Sequence, residues 1–407
     1  MDLLILTPQL PYPAYQGTTL RNFNILNGLA GSHQLDLLSF DERQYPAGIP
    51  EPLRGLCRTV ESVPVRSRGT GKRLWQMVST RQPDMALRLR SEQYAAALEE
   101  RLRKQDYRVV QIEGIELAWT IPIIRRSAPE TSIVYDAHNA ETLLQARSGA
   151  VDRASVERWP AAIYSRLQSA RLAKYEAWAC RSADGVVAVS EKDRQALVDL
   201  SGVKPDKIRV IPNSIDTVSY DFSAMAIEDR LRYDIVFSGK MDYRPNVDAV
   251  LWFADAVWPL IKKEMPKATW AIVGQKPHGR LERLKSLPDV TVTGWVPDVK
   301  PYLAGAGVFV MPFRVGSGTR LKLLEALAAG CAIVSTGVGA EGFPVVDGEH
   351  LLIGETAETF AANSVMLLRG PQKRAYLGEH GKQFAQNYDY RLIVSQFQDV
   401  YKDLGAS

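Results

Sequence analysis

At 407 residues, the chain is longer than one ordinary hydrophobic core requires, and its 46% hydrophobic and 24% charged residues predict a globular protein of two domains. A formal net charge of only +4 argues against a dedicated nucleic-acid-binding protein. The sequence starts without a basic signal-peptide region, and its three cysteines, Cys57, Cys180 and Cys331, lack metal-site spacing. Both features predict a cytoplasmic protein.

The first half of the chain alternates short apolar segments with helical patterns. The segments are rich in Val, Ile and Leu without clean polar alternation, which indicates strands buried on both faces of a sheet. The predicted strands are Asp2–Leu6, Gln34–Phe40, Arg108–Glu113, Ser132–Ala137, Asp184–Ser190 and Ile208–Asn213. The predicted helices between them include Thr18–Ala30, Ser91–Lys104 and Glu191–Leu200.

The second half starts the same pattern afresh. Its predicted strands are Asp234–Gly239, Thr269–Gly274, Asp289–Gly294, Val308–Phe313 and Ala332–Thr336, with helices such as Asn246–Lys263 and Arg320–Ala329 between them. Strands that alternate with helices predict βαβ units and parallel sheets. We therefore expect an α/β protein of two doubly wound domains, with the boundaries 1–215 and 233–385, a polar linker at 216–232, and a C-terminal helix at 386–407 that packs back towards the first domain.

The loop after the predicted strand Val308–Phe313 has the composition of an anion site. It reads RVGSGT and leads into a helix that begins with Arg320 and Lys322. Ligands of open parallel sheets bind beyond the carboxyl ends of strands, and the free N–H groups of a glycine-bearing loop and a helix start attract phosphate. The loop is not a P-loop, because the terminal Lys-Ser/Thr is missing.

Glu325 lies on the second turn of this helix, among leucines and alanines. A carboxylate there needs a partner, because burying it bare is costly. Two interpretations remain open at this point. Glu325 either forms a structural ion pair or accepts hydrogen bonds from vicinal hydroxyls of a ligand, such as those of a ribose.

Two loops of the first half are candidate ligand contacts. His138 comes just after a predicted strand and is either a structural histidine or a ligand-facing one. Asn139 and Glu141 are weaker candidates, since Glu141 can simply stabilise the first turn of the next helix. Gly17, in a proline-rich loop after the first strand, either permits close approach of a ligand or belongs to an ordinary turn.

Two basic stretches raise the question of membrane contact. Arg and Lys outnumber Asp and Glu at 54–104 and again at 147–174. A long predicted helix at 147–178 combines such basic residues with Trp159, Tyr164, Leu167, Tyr175 and Trp178. This combination is typical either of a helix at an anionic membrane surface or of a core helix with a solvated edge.

Five segments together resemble the retaining glycosyltransferases of family 4. The block LKLLEALAAGCAIVSTGVGAEGFPVVDGEHLLI is similar to that family's donor site, and VIPNSID is similar to its usual VIPNGID. The segments FSGKMDYRPN, IVGQKP and TGWVPDVKPYLAGAGVFVMPF occupy the expected places in the expected order. The resemblance covers nearly the whole chain and looks closest to sugar transferases of bacterial exopolysaccharide systems. It implies the GT-B fold, in which two Rossmann-like domains face each other across a cleft.

The resemblance implies donor-binding roles for matching positions. Glu325 matches the second of two family glutamates and would bind the ribose. Lys240 matches an arginine that binds the diphosphate. Gly17 matches an amino-terminal glycine that faces the diphosphate. The loop beside the diphosphate and sugar corresponds to Gly316, Ser317, Gly318 and Thr319.

Two further roles follow from the resemblance. Trp295 and Val296 lie in the segment that lines the base pocket. His138 matches a histidine that hydrogen-bonds the transferred sugar and counts, with Glu325, as a catalytic residue.

The chain departs from the family at two positions. Ser317 stands where the first glutamate is expected, and Pro245 stands where a second diphosphate-binding lysine is expected. We expect Arg320 or Lys322 to replace the lost cation, with Arg244 as the rival.

The resemblance implies that a sugar moves, with retention, from a UDP- or GDP-linked donor to a hydroxyl of a glycan or a polyprenyl- or other lipid-linked acceptor in cell-surface polysaccharide synthesis. No cofactor is expected, since no Asp-x-Asp pair is present to hold a metal. The transfer would occur in the cytoplasm or at the inner face of the membrane, with a peripheral contact to anionic lipid. The alternatives are a sugar-nucleotide epimerase of the same fold and a non-catalytic glycosyltransferase-like partner subunit.

Overall fold

The computed structural model describes residues 1–14, 17–41, 48–65, 68–69, 71, 75–76, 79–145, 159–315 and 318–405, without the side chains of 159–166. These residues form two compact units, one of Met1–Ser214 with Tyr390–Ser407 and one of Ile215–Asp389. Each unit is built on one sheet whose strand pairs are parallel. None of the described helices combines the length and the apolar character needed to cross a membrane.

The sheet of the first unit has seven strands, six of which were predicted. They are β1 (Asp2–Thr7), β2 (Gln34–Asp41), β3 (Thr59–Pro64), β4 (Val109–Glu113), β5 (Ser132–Ala137), β6 (Gly185–Ala188) and β7 (Ile208–Val210). Their spatial order is β3-β2-β1-β4-β5-β6-β7. Sequence reasoning missed β3 because it is a partly exposed edge strand whose polar residues hide the apolar pattern.

Helices cover both faces of this sheet. They are α1 (Gly17–Leu29), α2 (Glu51–Leu56), α3 (Asp84–Arg88), α4 (Glu92–Lys104), α5 (Ile121–Ser127), α6 (Trp159–Ser182) and α7 (Glu191–Ser201), with 3-10 turns at Ile115–Thr120 and Pro205–Lys207. Alternate residues of β1 enter different cores, since Leu4 and Leu6 belong to one cluster and Leu3 and Ile5 to the other. This double burial explains why the strands read as continuous apolar runs.

The sheet of the second unit has six strands. They are β8 (Tyr233–Ser238), β9 (Trp270–Val273), β10 (Val290–Gly294), β11 (Ala306–Met311), β12 (Ile333–Ser335) and β13 (Leu352–Ile353), in the spatial order β10-β9-β8-β11-β12-β13. The two-residue strand β13 was not predicted, because it is too short to produce a pattern.

The helices of the second unit include one correction. They are α8 (Arg244–Trp252), α9 (Trp258–Glu264), α10 (Lys300–Ala304), α11 (Leu321–Ala328), α12 (Gly337–Ala340), α13 (Ala357–Arg369) and α14 (Pro371–Gln386), with 3-10 turns at Thr217–Tyr220, Ile227–Asp229 and Gly279–Ser286. The predicted single helix Asn246–Lys263 is interrupted by a π-helical segment, Phe253–Val257. Pro259 explains the interruption, because it has no N–H to continue the α-helical ladder.

Residues 216–232, predicted as a linker, belong to the second unit. Tyr220 and Phe222 are buried in its core, and Arg230 Nη2 donates to the carbonyl oxygen of Phe222 at 3.0 Å. The polar composition concealed these aromatic anchors. Asp389 likewise belongs to this unit and not to the C-terminal helix, since its side chain accepts a 2.6 Å hydrogen bond from the hydroxyl of Thr217.

The C-terminal segment belongs to the first unit as two short helices, α15 (Tyr390–Ile393) and α16 (Ser395–Asp403). Phe397 and Tyr401 are buried in the core cluster that also contains Leu3 of β1. Gly28 of α1 lies so close to this segment that a Cβ on it would fall 2.7 Å from Val394 Cβ. A small residue in α1 therefore makes room for the returning chain.

We expect Gly28→Ala to lower the free energy of unfolding by about 1–2 kcal/mol, because overpacking against Val394 outweighs the gain in helix propensity. The matched control is Gly31→Ala, whose Cβ would meet nothing within 4 Å. Urea denaturation of both variants measures the difference. Equal stability of Gly28→Ala and Gly31→Ala would refute this packing of the C-terminal segment.

Candidate active site

Several of the predicted site residues follow strands at or next to the point where strand order reverses in each sheet. The order reverses between β1 and β4 in the first unit and between β8 and β11 in the second. Open α/β sheets bind ligands at these carboxyl ends. Gly17 opens α1 after β1, His138 follows β5, Lys240 follows β8, and the described residues 314–315 and 318–320 follow β11.

The loop before α11 is only partly described. The predictions on Gly316 and Ser317 lie outside the described residues. Gly318 has a φ of 77°, a left-handed conformation that favours glycine. Thr319 approaches Gly342, where a Cβ would lie 2.7 Å from Thr319 Cα, so the loop is packed tightly at this point.

Arg320 is a buried cation immediately before α11. Its side chain packs inward, with the guanidinium carbon 4.9 Å from the centre of the Phe313 ring. This distance is within the range of a cation–π contact. Arg320 therefore contributes positive charge near the end of β11.

Lys322 extends from α11 to the end of β8. Its Nζ donates to the carbonyl oxygen of Ser238 at 3.0 Å and to Oδ1 of Asn246 at 2.8 Å. Two aromatic ring centres lie 4.9 Å from Nζ, those of Phe237 and Phe313. Burial, reinforced by the charge of Arg320, lowers the pKa of Lys322 to about 7.

Asn246 links Lys322 to the predicted diphosphate cation Lys240. Asn246 Nδ2 donates to the carbonyl oxygen of Lys240 at 2.8 Å, while its Oδ1 holds Lys322. Asn246 is also the neighbour of Pro245, where the family's second lysine is expected. The Lys322 amine thus contacts the residue that follows the position of the missing cation, which favours Lys322 over Arg320 as its replacement.

The approach of Lys322 depends on a glycine. A Cβ on Gly239 would fall 2.6 Å from Lys322 Nζ and 2.7 Å from Asn246 Nδ2. Lys240, the next residue, is partly exposed, and its Nζ lies 3.6 Å from Asp242 Oδ1. Arg244 is exposed at the start of α8. Lys240, Arg244 and Lys322 therefore come from the loop after β8, the first residue of α8, and α11, respectively.

Glu325 has a partner that sequence reasoning did not identify. The hydroxyl of Tyr220 donates to Glu325 Oε1 at 2.7 Å, and Lys300 Nζ lies 5.2 Å from the centre of the Tyr220 ring. Burial raises the pKa of Glu325, although the Tyr220 hydrogen bond and the charges of Lys322 and Lys300 oppose this shift. No other described residue donates to Oε2, so this oxygen can accept from a ligand.

The two predicted base-pocket residues differ in exposure. Trp295 follows β10 and is 63% exposed. Val296 is half-buried and packs against the core of the second unit. Trp295 thus offers a flat apolar face for stacking, while Val296 supports the loop.

In the first unit, Arg21 of α1 organises the strand ends. Its Nε and Nη2 donate to the two carboxylate oxygens of Asp136, each at 3.0 Å, in a buried bidentate pair. Arg21 also donates to the carbonyl oxygens of Ile211 and Pro212, each at 3.2 Å. The backbone of the VIPNSID segment is therefore fixed to α1, whose first residue is Gly17.

His138 forms a buried cluster with two carboxylates. Its Nε2 lies 2.8 Å from Glu113 Oε2, and Glu113 Oε1 accepts a 2.5 Å hydrogen bond from Gln111 Nε2. Burial raises the pKa of Glu113 to about 7 and that of Asp136 to about 7, with the charge of Arg21 opposing both shifts. Burial lowers the pKa of His138. The two carboxyl groups therefore have pKa values near neutral pH.

Within the described residues, Glu113, Asp136 and His138 are also one group whose geometry could hold a metal ion. Their donor atoms already have protein partners, because both Asp136 oxygens accept from Arg21 and both Glu113 oxygens contact Gln111 and His138. A metal ion would have to displace the Arg21 guanidinium. The donor set thus fits a proton-sharing cluster better than a metal site.

Carboxylates also hold the loop after His138. The backbone N–H of Ala140 donates to Asp193, and the N–H groups of Glu141 and Thr142 donate to Glu176 at 2.7 and 3.0 Å. Burial and the charge of Glu116 raise the pKa of Glu141 to about 8. Its side chain accepts from Asn139 at 3.1 Å.

The long helix is described as α6, Trp159–Ser182. Tyr175 is buried, and Trp178 stacks on it at 5.4 Å and packs against the core, whereas Leu167 is exposed. The burial of Tyr175 and the packing of Trp178 favour the core interpretation for the C-terminal part of the helix. The side chains of Trp159 and Tyr164 lie outside the described residues.

Sequence reasoning did not identify Arg21, Glu113, Asn246 or Tyr220. Arg21 and Glu113 gave a usable signal, since each is the one charged residue of its helix or strand. Asn246 and Tyr220 gave none, because their roles depend on contacts between distant segments.

Comparison with known proteins supports one family for both units. Residues 17–219 match the model described as Glycosyltransferase Family 4, and residues 232–370 match that described as Glycosyl transferases group 1. The chain is 25% identical over 179 residues to an uncharacterized 44.6 kDa protein in the cps region of Klebsiella pneumoniae, covering 42% of this chain and 45% of that protein.

A second relative is a phosphatidyl-myo-inositol mannosyltransferase of Mycolicibacterium smegmatis. It is 26% identical over 230 residues, covering 55% of this chain and 58% of the relative. The matched segments thus span about half the length of these relatives. The fold is similar to that of a crystal structure of Anabaena HepE in complex with UDP, with a TM-score of 0.67, 15% identity, and coverage of 99% of this chain and 100% of that chain.

Proposed function

We propose that this chain, which belongs to the family 4 glycosyltransferases and has their GT-B fold, transfers a sugar with retention of the anomeric configuration. Its donor is a nucleoside diphosphate sugar, UDP- or GDP-linked, and its acceptor is a hydroxyl of a glycan or lipid-linked glycan in cell-surface polysaccharide synthesis. The relative in a cps region and the mannosyltransferase relative support the acceptor class.

The observation that carries this proposal is the Lys322–Asn246–Lys240 arrangement beside Glu325. Lys322 and Lys240 are joined through Asn246 at the start of α8. On the same helix as Lys322, Glu325 keeps Oε2 available for a ribose hydroxyl, while Tyr220 holds Oε1. A lysine and a hydroxyl acceptor on one helix, with a second lysine in the neighbouring loop after β8, match a nucleoside diphosphate.

These residues would stabilise the diphosphate as it leaves. The bond between the anomeric carbon and the phosphate oxygen breaks, a new bond forms to the acceptor oxygen, and the acceptor proton passes to the departing phosphate. Cations that are fixed before the reaction stabilise the charge that develops on that oxygen. Negative charge next to Lys322 raises its pKa, so the amine is protonated when the donor is bound.

The direct test is a transfer assay with UDP- and GDP-sugars and extracted lipid-linked glycans, with the anomeric configuration of the product read by NMR. We expect a new glycosidic bond with the configuration of the donor. Inverted product would refute retention. Conversion of the donor sugar without any acceptor would show an epimerase instead, and nucleotide binding with no turnover would show a non-catalytic subunit.

We expect Lys322→Met to reduce kcat about 10²–10³-fold, because a preorganised donor to the leaving group is lost. The control is Lys262→Met, a partly buried lysine of α9 that pairs with Asp289 at 2.7 Å. Steady-state kinetics of both variants make the comparison. If Lys322→Met keeps normal turnover and Arg244→Ala abolishes it, Arg244 is the replacing cation.

A lysine with a pKa of about 7 makes nucleotide affinity depend on pH. Above pH 7 the free protein must bind a proton at Lys322 together with the diphosphate, so we expect the Kd for UDP to rise up to about tenfold per pH unit. Calorimetric titration between pH 6 and 9 measures the slope. Lys322→Arg stays charged and should give a flat profile, and a flat wild-type profile would contradict the prediction.

A further inference from the structure

The ring of His138 is held from one side by a relay of buried side chains. The hydroxyl of Tyr401, on α16, donates to Gln111 Oε1. Gln111 Nε2 donates to Glu113 Oε1 at 2.5 Å, and Glu113 Oε2 lies 2.8 Å from His138 Nε2. Glu113, Gln111 and Tyr401 are buried, and 13% of the His138 side chain is exposed.

We propose that Glu113 is a positioning residue that keeps the proton of neutral His138 on Nε2 and thereby presents Nδ1 as a hydrogen-bond acceptor for a substrate hydroxyl. The proposal deepens the proposed function, since it rests on His138 contacting the transferred sugar. An ionised carboxylate can only accept hydrogen bonds, so the nitrogen facing it must carry the proton. No described residue forms a hydrogen bond with Nδ1, which is therefore available to a ligand.

The direction of the relay supports this assignment. Because Tyr401 occupies Gln111 Oε1, the amide nitrogen of Gln111 must face Glu113. Glu113 Oε1 consequently accepts, and Oε2 is left to His138. The relay fixes both the orientation of the imidazole and its tautomer, as hydrogen bonds to the other ring nitrogen do in general.

A single added proton reverses the role of Nδ1. If the proton enters at the imidazole, Nδ1 becomes a donor. If it enters at Glu113, the carboxyl donates to Nε2 and the imidazole proton moves to Nδ1, which again becomes a donor. The charged groups around the pair are Asp136 on β5, Arg21 on α1 and Glu116 in the turn after β4. Burial raises the pKa of Glu113 to about 7, so the acceptor form prevails above that pH.

Glu113→Gln tests the proposal without changing side-chain shape. Gln111 donates to position 113, so the new amide must direct its own NH₂ group at His138. Nε2 then becomes an acceptor and the imidazole proton moves to Nδ1. Nitrogen-15 NMR of the five histidines, with His138 assigned by its loss in His138→Gln, reads the tautomer directly at pH 8.

The kinetic expectation is a loss of kcat of about 10–100-fold in Glu113→Gln, the range known for partners that orient metal-binding histidines. We expect kcat/KM of the wild type to fall below about pH 7, where Glu113 becomes protonated. This decrease should be absent in Glu113→Gln. Thermal stability should not fall. The pKa of Glu113 is raised on folding, so its ionised form costs stability above pH 7, and a neutral glutamine removes that cost.

Asp36→Asn is the matched control, a second buried carboxylate of the same sheet. Burial tends to raise the pKa of Asp36, but hydrogen bonds from Arg58, Thr59 and Tyr107 outweigh it and the pKa lies below its usual range. Its ionised form therefore stabilises the fold above the unfolded pKa. Asp36→Asn should lower the melting temperature at pH 8 and leave the His138 tautomer and kcat unchanged.

Wild-type tautomer and wild-type kcat in Glu113→Gln would overturn the proposal. Lower stability with unchanged kcat would also overturn it, since Glu113 would then be purely structural. Failure of the proposed function looks different. In that case the wild type transfers no sugar, while NMR still decides whether Glu113 sets the His138 tautomer.

Discussion

Ionised side chains at the carboxyl ends of parallel strands are stable only where partners compensate for lost hydration, and this constraint organises both units. In the first unit, Arg21 neutralises Asp136 and holds the strand-end backbone of Ile211 and Pro212. In the second, Asn246 and the Ser238 carbonyl hold the amine of Lys322. Each site is therefore fixed before any ligand arrives, which is what electrostatic stabilisation of a leaving group requires.

Much of the fold could be predicted from the sequence, because strands buried on two faces give continuous apolar runs. The strands that escaped prediction, β3 and β13, are an edge strand and a two-residue strand, which carry little pattern. Composition alone predicts that residues 216–232 form a linker. Their burial through Tyr220 and Phe222 depends on a tertiary contact that local composition does not encode.

The residue types of the candidate site could be predicted from the sequence, but the residues that each of them contacts could not. Arg320, Lys322 and Glu325 were recognisable as candidates because they are the charged residues of an otherwise apolar helix. That Lys322, rather than Arg320, reaches the neighbour of Pro245 depends on side-chain length and on Gly239 leaving room for the amine. The partners of Glu325 and His138, Tyr220 and Glu113, lie 105 and 25 residues away in sequence.

We propose that the second unit binds a nucleoside diphosphate through fixed cations and Glu325, without a metal ion. The most direct measurement is a thermal-shift screen of UDP, GDP and ADP in EDTA, with wild type and Glu325→Ala side by side. A ligand at about 100 times its Kd adds about 2.7 kcal/mol of stability. We expect one nucleotide to raise the melting temperature of wild type much more than that of the variant. No shift with any nucleotide, or equal shifts in both proteins, would contradict it.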